Sequence, residues 1–237
     1  EYANLCDQVI APSESIQALL EERGVTTPIT PIPTGIDPVT FGSGDGTVLR
    51  KRLGIPPEAF VVGHVGRLAP EKNLGFLSRS LARFLVSHPD SHCLIAGTGS
   101  AEDEVRAALA DPALASRVHF LGKRTGRDLV DAYAAMDLFA FASTSETQGM
   151  VLAEAMAAGV PVVALDAPGV REVVNNGQNG ELLFDEEETV FADALDRYHA
   201  QTPEEKRAMQ HRARQTAEAF SLERCTQRLI GVYRKAA

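Results

Sequence analysis

The chain has 237 residues, 44% of them hydrophobic, enough for one large or two small domains with a proper core. Its net charge of −9 argues against broad nucleic-acid binding, so a phosphate site must be assembled locally from a few cations and backbone N–H groups. No apolar run approaches the ~18–20 residues that a bilayer span requires, and no stretch reads as a signal peptide.

The chain opens at Glu1, without a Met and already in pattern, and is expected to be a piece of a longer protein. From there strand-like runs alternate with helical ones. A strand over Gln8–Ala11, a helix over Ser13–Arg23 and a strand over Ile29–Pro33 make one small unit. It cannot hold a core alone, so residues 1–35 read as the tail of a preceding domain. Thr34–Thr47, rich in Gly, Asp and Pro, reads as a linker or open loop. Strands are then predicted at Val61–Gly66, Cys93–Gly97, Val118–Leu121, Leu138–Ala142, Val160–Leu165 and Gly180–Phe184. Helices are predicted between them at Asn73–Ser87, Ala101–Leu109, Gly126–Met136, Met150–Ala158 and Val170–Asn176. The last third is helical and charged, with Pro203 and Ser221 opening new helices. Short apolar strands separated by helices predict an α/β, doubly wound parallel sheet with both faces covered. The boundaries expected are a tail over 1–35, a Rossmann-like domain over 36–220 and a terminal helix over 221–237.

Cys6, Cys93 and Cys225 are scattered, with no C-x-x-C, which fits a reducing, cytoplasmic compartment. His88, His92 and Cys93 are close in sequence, but Pro89 keeps the two imidazoles off one helical face. Zinc needs three or four convergent ligands, so no metal site is expected there. No D-x-D marks a strand end; Glu102–Asp103–Glu104 reads as the acidic first turn of a helix. His64, inside a strand, reads as a packed, hydrogen-bonded histidine.

In open parallel sheets ligands bind beyond the carboxyl ends of the strands. After Val61–Val65 comes G-R-L-A-P-E-K-N, Gly66 to Asn73. Arg67 and Lys72 could there grip a diphosphate, Arg with a planar fork and Lys with a compact charge. They are equally readable as a surface Arg and a helix-start Lys, and Glu71 could neutralise Lys72. Gly97 opens G-T-G-S, whose third glycine position is Glu102, so it says only that backbone passes closely. Lys123 and Arg124 follow the next strand as ordinary exposed cations or as part of a turn facing a base. Asp166, Pro168 and Gly169 follow a later strand and line the cleft edge or merely start a helix.

The fullest signal is S-E-T-Q-G-M-V-L-A-E, Ser145 to Glu154. Glu146 lies in a polar loop. Glu154 lies about two turns into an Ala- and Met-rich helix that opens near Gly149. Two acids and the free N–H groups of a helix start suit a polyhydroxylated, negatively charged ligand.

These segments, with C-D-Q-V-I-A-P-S at Cys6–Ser13, I-P-T-G-I-D at Ile32–Asp37 and F-L-G at Phe120–Gly122, resemble the C-terminal half of a GT-B glycosyltransferase. The resemblance is to the retaining family 4, or group 1, type and covers nearly the whole chain. It implies a donor-binding half for a nucleotide-sugar, with UDP the expected nucleotide and no metal or other cofactor. Arg67 and Lys72 would hold the diphosphate and Glu146 the sugar. Glu154 would take the ribose, and Gln148, Gly149, Met150 and Val151 the sugar and distal phosphate. Lys123 would sit near the base, with Gly66 and Gly97 in the same donor-binding set. The acceptor, a glycan or lipid, would bind an N-terminal domain that is absent, and the full enzyme could sit at the inner membrane face. The terminal helix resembles one that braces that domain. Its loss leaves two apolar ends expected to pack together, to be disordered or to swap between copies as a dimer. An epimerase of the same architecture and a non-catalytic nucleotide-binding module are the alternatives.

Overall fold

The computed structural model describes residues 2–236. β1 (Val9–Ala11), α1 (Glu14–Glu22) and β2 (Ile29–Pro31) form a small unit in which the two strands pair in parallel, apart from the main sheet. Next come two short helices, α2 (Pro38–Gly42) and α3 (Gly46–Arg52). The alternation then runs β3 (Val61–Val65), α4 (Leu74–Ser87), β4 (His92–Ala96), α5 (Glu102–Ala108), β5 (Val118–Gly122), α6 (Gly126–Ala134) and β6 (Leu138–Phe141). It ends with α7 (Met150–Ala157), β7 (Val162–Leu165), β8 (Gly180–Leu183), α8 (Glu188–His199), α9 (Pro203–Ala219) and α10 (Leu222–Ala236).

The main sheet is parallel throughout, in the order β5-β4-β3-β6-β7-β8. This is a Rossmann-like, doubly wound sheet, as the sequence pattern predicted. Strand periodicity explains how it is covered. In β6, Phe139 and Phe141 join one core cluster with Tyr133, Leu152 and Met156, while Leu138 and Ala140 join another with Phe84, Phe191 and Leu195. This central strand is therefore apolar on both sides, and helices shield both faces of the sheet.

Two sequence expectations fail here. Thr34–Thr47 is not an open loop, because α2 and the start of α3 lie within it. Its polar residues are caps: the Asp37 side chain accepts from the N–H groups of Val39 and Thr40, both at 3.1 Å, and Asp45 accepts from Thr47 N–H at 3.0 Å. A five-residue helix also spans too few turns to show periodicity. Val170–Asn176 is not a helix but a run of turns. Buried Asn179 takes its backbone groups instead, accepting from Asn175 N–H at 2.8 Å and donating to the Val173 carbonyl at 2.9 Å. In the same stretch Glu172 accepts from the N–H groups of Glu14 and Ser15, at 2.9 and 2.7 Å, and anchors α1 to the main body.

The two ends of the chain meet. Leu222 N–H donates to the Ile36 carbonyl at 2.8 Å, and Arg228 reaches the Pro31 carbonyl. Leu222 and Ile230 on α10 stay exposed. Among the described residues no helix is long and apolar enough to cross a membrane.

Candidate functional site

In the main sheet, chain order reverses between β3 and β6, which are neighbours although β4 and β5 intervene in sequence. The loops leaving their carboxyl ends diverge and open a crevice, the usual place for a ligand in such a sheet. The β3 loop ends in a turn over Pro70–Lys72, and the β6 loop carries Glu146. Lys72 Nζ donates to Glu146 Oε2 at 3.0 Å, with the side chains only 21% and 16% exposed. Glu146 Oε1 accepts from the N–H groups of Gly149 at 3.2 Å and Gln148 at 3.4 Å. Gly149 caps α7 at φ 70°, a left-handed backbone that suits glycine. The carboxylate thus sits at the N-cap of α7. Burial would raise its pKa, but the hydrogen bond and charge of Lys72 and the two N–H groups outweigh that and hold it below the usual glutamate value.

Beside this junction is a cleft of about 440 Å³ at the carboxyl ends of β3, β4 and β5. Gly66, Arg67, Gly97, Lys123, Val151 and Glu154 all line it. Lys72, Glu146, Gln148, Gly149 and Met150 do not, and belong to the adjoining α7 junction. The α7 helix links the two groups, with Glu146 on its cap and Val151 and Glu154 facing the cleft. A larger hollow of about 650 Å³ lies at the opposite end of the sheet, where Arg50 pairs with Asp137, and none of the predicted residues lines it.

Three side-chain arrangements differ from the sequence reading. Arg67 and Lys72 are not a free pair of cations aimed at one point. Arg67 is bound to Glu71 and Lys72 to Glu146, so Glu71 neutralises the arginine rather than the lysine. The i, i+4 spacing within the β3 loop brings Arg67 to Glu71, while the sheet order brings Lys72 to Glu146. Arg124 is not an ordinary exposed cation: it lines the cleft with a buried Nε that has no partner among the described residues. Asp166 and Gly169 start a turn rather than a helix. Gly169 N–H donates to the Glu146 carbonyl at 2.8 Å and so braces the acidic loop, while Asp166 pairs with Arg171. The Gln148 side chain is engaged as well, its oxygen accepting from Thr34 N–H at 3.0 Å and Oγ1 at 2.7 Å.

Other expectations hold. Gly97 marks a close backbone approach, since a Cβ there would lie 1.8 Å from the Gly66 oxygen. His64 is packed and bonded, its Nδ1 facing the Ala140 carbonyl at 3.1 Å, and burial pushes its pKa down to about 4. Burial likewise pushes the Cys93 thiol up to about 12.

Sequence reasoning missed Tyr133. Fully buried on α6, it donates from its hydroxyl to Glu154 Oε2 at 2.8 Å. Its only sequence signal is an aromatic on the apolar side of a helical run, which any core residue shows. Burial raises the Glu154 pKa, and the Tyr133 hydrogen bond only partly opposes this. A carboxyl favoured in its neutral form destabilises the fold increasingly as pH rises above the ordinary 4.5. Glu154→Gln should therefore melt higher than wild type at neutral pH, by roughly 2–4 °C per kcal/mol relieved. The gain should vanish below 4.5, and thermal melts across pH check both limbs.

A family model described as glycosyl transferases group 1 matches residues 45–216. The chain belongs to the group 1 glycosyl transferases. Two curated members, D-inositol 3-phosphate glycosyltransferases of Stackebrandtia nassauensis and Mycobacterium marinum, are 32% and 33% identical to it. The alignments cover 96% and 94% of this chain but 55% and 48% of theirs. Among solved structures, Anabaena HepE in complex with UDP and glucose matches with a TM-score of 0.87 at 30% identity, over 98% of this chain and 65% of that one. The sheet and its flanking helices match those of GT-B glycosyltransferases. This group 1 glycosyl transferase chain thus spans about half the length of the curated relatives it matches.

Proposed function

We propose that the chain is the donor-binding half of a metal-independent, retaining glycosyltransferase that takes a hexose from UDP-sugar. The carrying observation is the junction of Lys72, Glu146 and the α7 N-cap, set beside a cleft that holds Arg67 and Glu154. The Anabaena relative was solved with UDP, which supports uracil as the base. Arg67 and Lys72 exchange their carboxylate partners for the diphosphate and stabilise the leaving group by charge. Cations in these two places do the work that a divalent metal does elsewhere. Glu154, oriented by Tyr133, accepts from the ribose hydroxyls, and Lys123 lies near the base. Glu146 contacts the sugar, while the backbone of Gln148 to Val151 holds the sugar and the distal phosphate. The acceptor, a glycan or lipid, attacks from the same face as the departing diphosphate, which serves as base and so preserves the anomeric configuration. That acceptor binds the rest of the longer protein, of which residues 1–35 are the tail, and the chain alone is inactive.

Calorimetry with UDP-, GDP- and ADP-sugars, with and without chelator, tests this reading. Arg67→Ala should weaken UDP binding by about 1.5–3 kcal/mol, the scale of a lost charge-assisted contact. Loss of binding on adding chelator, or an Arg67→Ala chain that binds as well as wild type, would refute the assignment. In the longer enzyme Glu154→Gln should mainly raise the donor KM, whereas Glu146→Gln should lower kcat about tenfold or more.

A further inference from the structure

Glu146 occupies the anion site that the proposed donor needs. Its two oxygens take Lys72 Nζ and the N–H groups of Gln148 and Gly149, the donors assigned above to phosphate. We infer that Glu146 is a resident counter-anion through which the site prefers a nucleotide-sugar to a bare nucleoside diphosphate. This rests on the donor-site reading given above and deepens it.

The preference arises by exchange of one anion for another. A diphosphate entering the junction takes Lys72 and the N–H groups at the α7 N-cap, and it displaces the Glu146 carboxylate. With only 16% of that side chain exposed, solvent does not fully replace the lost donors. A nucleotide-sugar brings replacements, because its sugar hydroxyls donate to the freed carboxylate. Bare UDP brings none. The displaced carboxylate then lies near a phosphate of like charge, and its return to Lys72 favours release. The same residue therefore holds the sugar before transfer and helps expel the nucleotide after it, when the sugar has gone. In the ligand-free chain the pair also keeps Lys72 from binding stray anions. The depressed Glu146 pKa keeps the carboxylate charged at neutral pH, as this role requires.

Calorimetry on the 237-residue chain with UDP and with UDP-glucose reads the preference directly. Glu146→Gln and Glu146→Ala should each bind UDP about tenfold more tightly than wild type, the effect of releasing one close charge pair. Neither should gain for UDP-glucose, so the ratio of the two affinities should shift about tenfold towards UDP. Circular dichroism and melting confirm that the variants fold, and the alanine variant serves if the glutamine one does not. Unchanged or weaker UDP binding overturns the inference. So do equal gains for both ligands, which reveal only general charge repulsion. Both of those outcomes leave the donor-site reading intact. A wild-type chain that binds neither ligand overturns the donor-site reading and this inference with it.

Discussion

Replacing Lys72 by Met is expected to weaken UDP binding ~10- to 100-fold, the loss of one charge-assisted phosphate contact. It should also destabilise the unliganded chain. Removing one partner of a fully buried ion pair costs about 3–5 kcal/mol, because the other charge stays behind uncompensated. Here Lys72 is 21% exposed and Glu146 keeps two N–H donors, which brings the expectation to about 1–3 kcal/mol. Adding Glu146→Gln should restore most of that stability, since no buried charge then lacks a partner. Acid gives a separate check. A carboxylate held below its ordinary value stabilises the fold above 4.5, and that contribution is lost as pH falls through the depressed value. Wild type and Lys72→Met should therefore differ most at neutral pH and converge well below 4.5. Urea melts that show the same gap at every pH would mean that the pair does not act through charge.

Gly97→Ala should be the most damaging single methyl in the chain. Gly97 lies at φ 147°, and a Cβ there would stand 1.8 Å from the Gly66 oxygen. Neither neighbour can yield, because Gly66 N–H donates to Ala96 at 3.0 Å and Gly97 N–H to Gly122 at 2.9 Å. Those bonds tie together the ends of β3, β4 and β5, the floor of the cleft. Positive-φ strain together with a backbone clash should cost about 3 kcal/mol or more. At this chain length the melting temperature would fall by roughly 10 °C. UDP binding should fall as well, since the same backbone carries Arg67. A variant that melts within a degree or so of wild type would show that the loop shifts easily and that the close approach is not required.

Gly97 also shows how far local pattern reaches. Its place after a strand was enough to announce a close backbone approach, because few other reasons put glycines there. Glu146, Lys72 and Arg67 were legible for a similar reason, each following an apolar strand in a parallel sheet. Their partners were not. Glu71 lies nearer Lys72 in sequence, yet it binds Arg67, since an i, i+4 reach suits the turn and Lys72 points to another loop. Tyr133 gives no warning, because a buried tyrosine that bonds a carboxylate across the fold has the same spacing as one that does not. Which of its two readings suits Arg124 is not legible in the sequence, because exposure is a property of the packed turn rather than of the residue type. The segment before Thr47 was misjudged for a different reason, since caps and linkers draw on the same Asp, Gly and Pro residues.

Local chemistry by itself therefore determined the alternation of strands and helices, the helix starts at Pro203 and Ser221, and the strand ends whose residues line the cleft. Those features depend on periods of 2 and 3.6 residues and on cap bonds that reach only a few positions. Only the tertiary structure decided which strands are neighbours. It placed β6 rather than β5 beside β3, and so brought Lys72 to Glu146 across 74 residues of chain. No periodicity spans that distance. The pairing follows from burying two apolar faces of one sheet, which is a property of the whole domain.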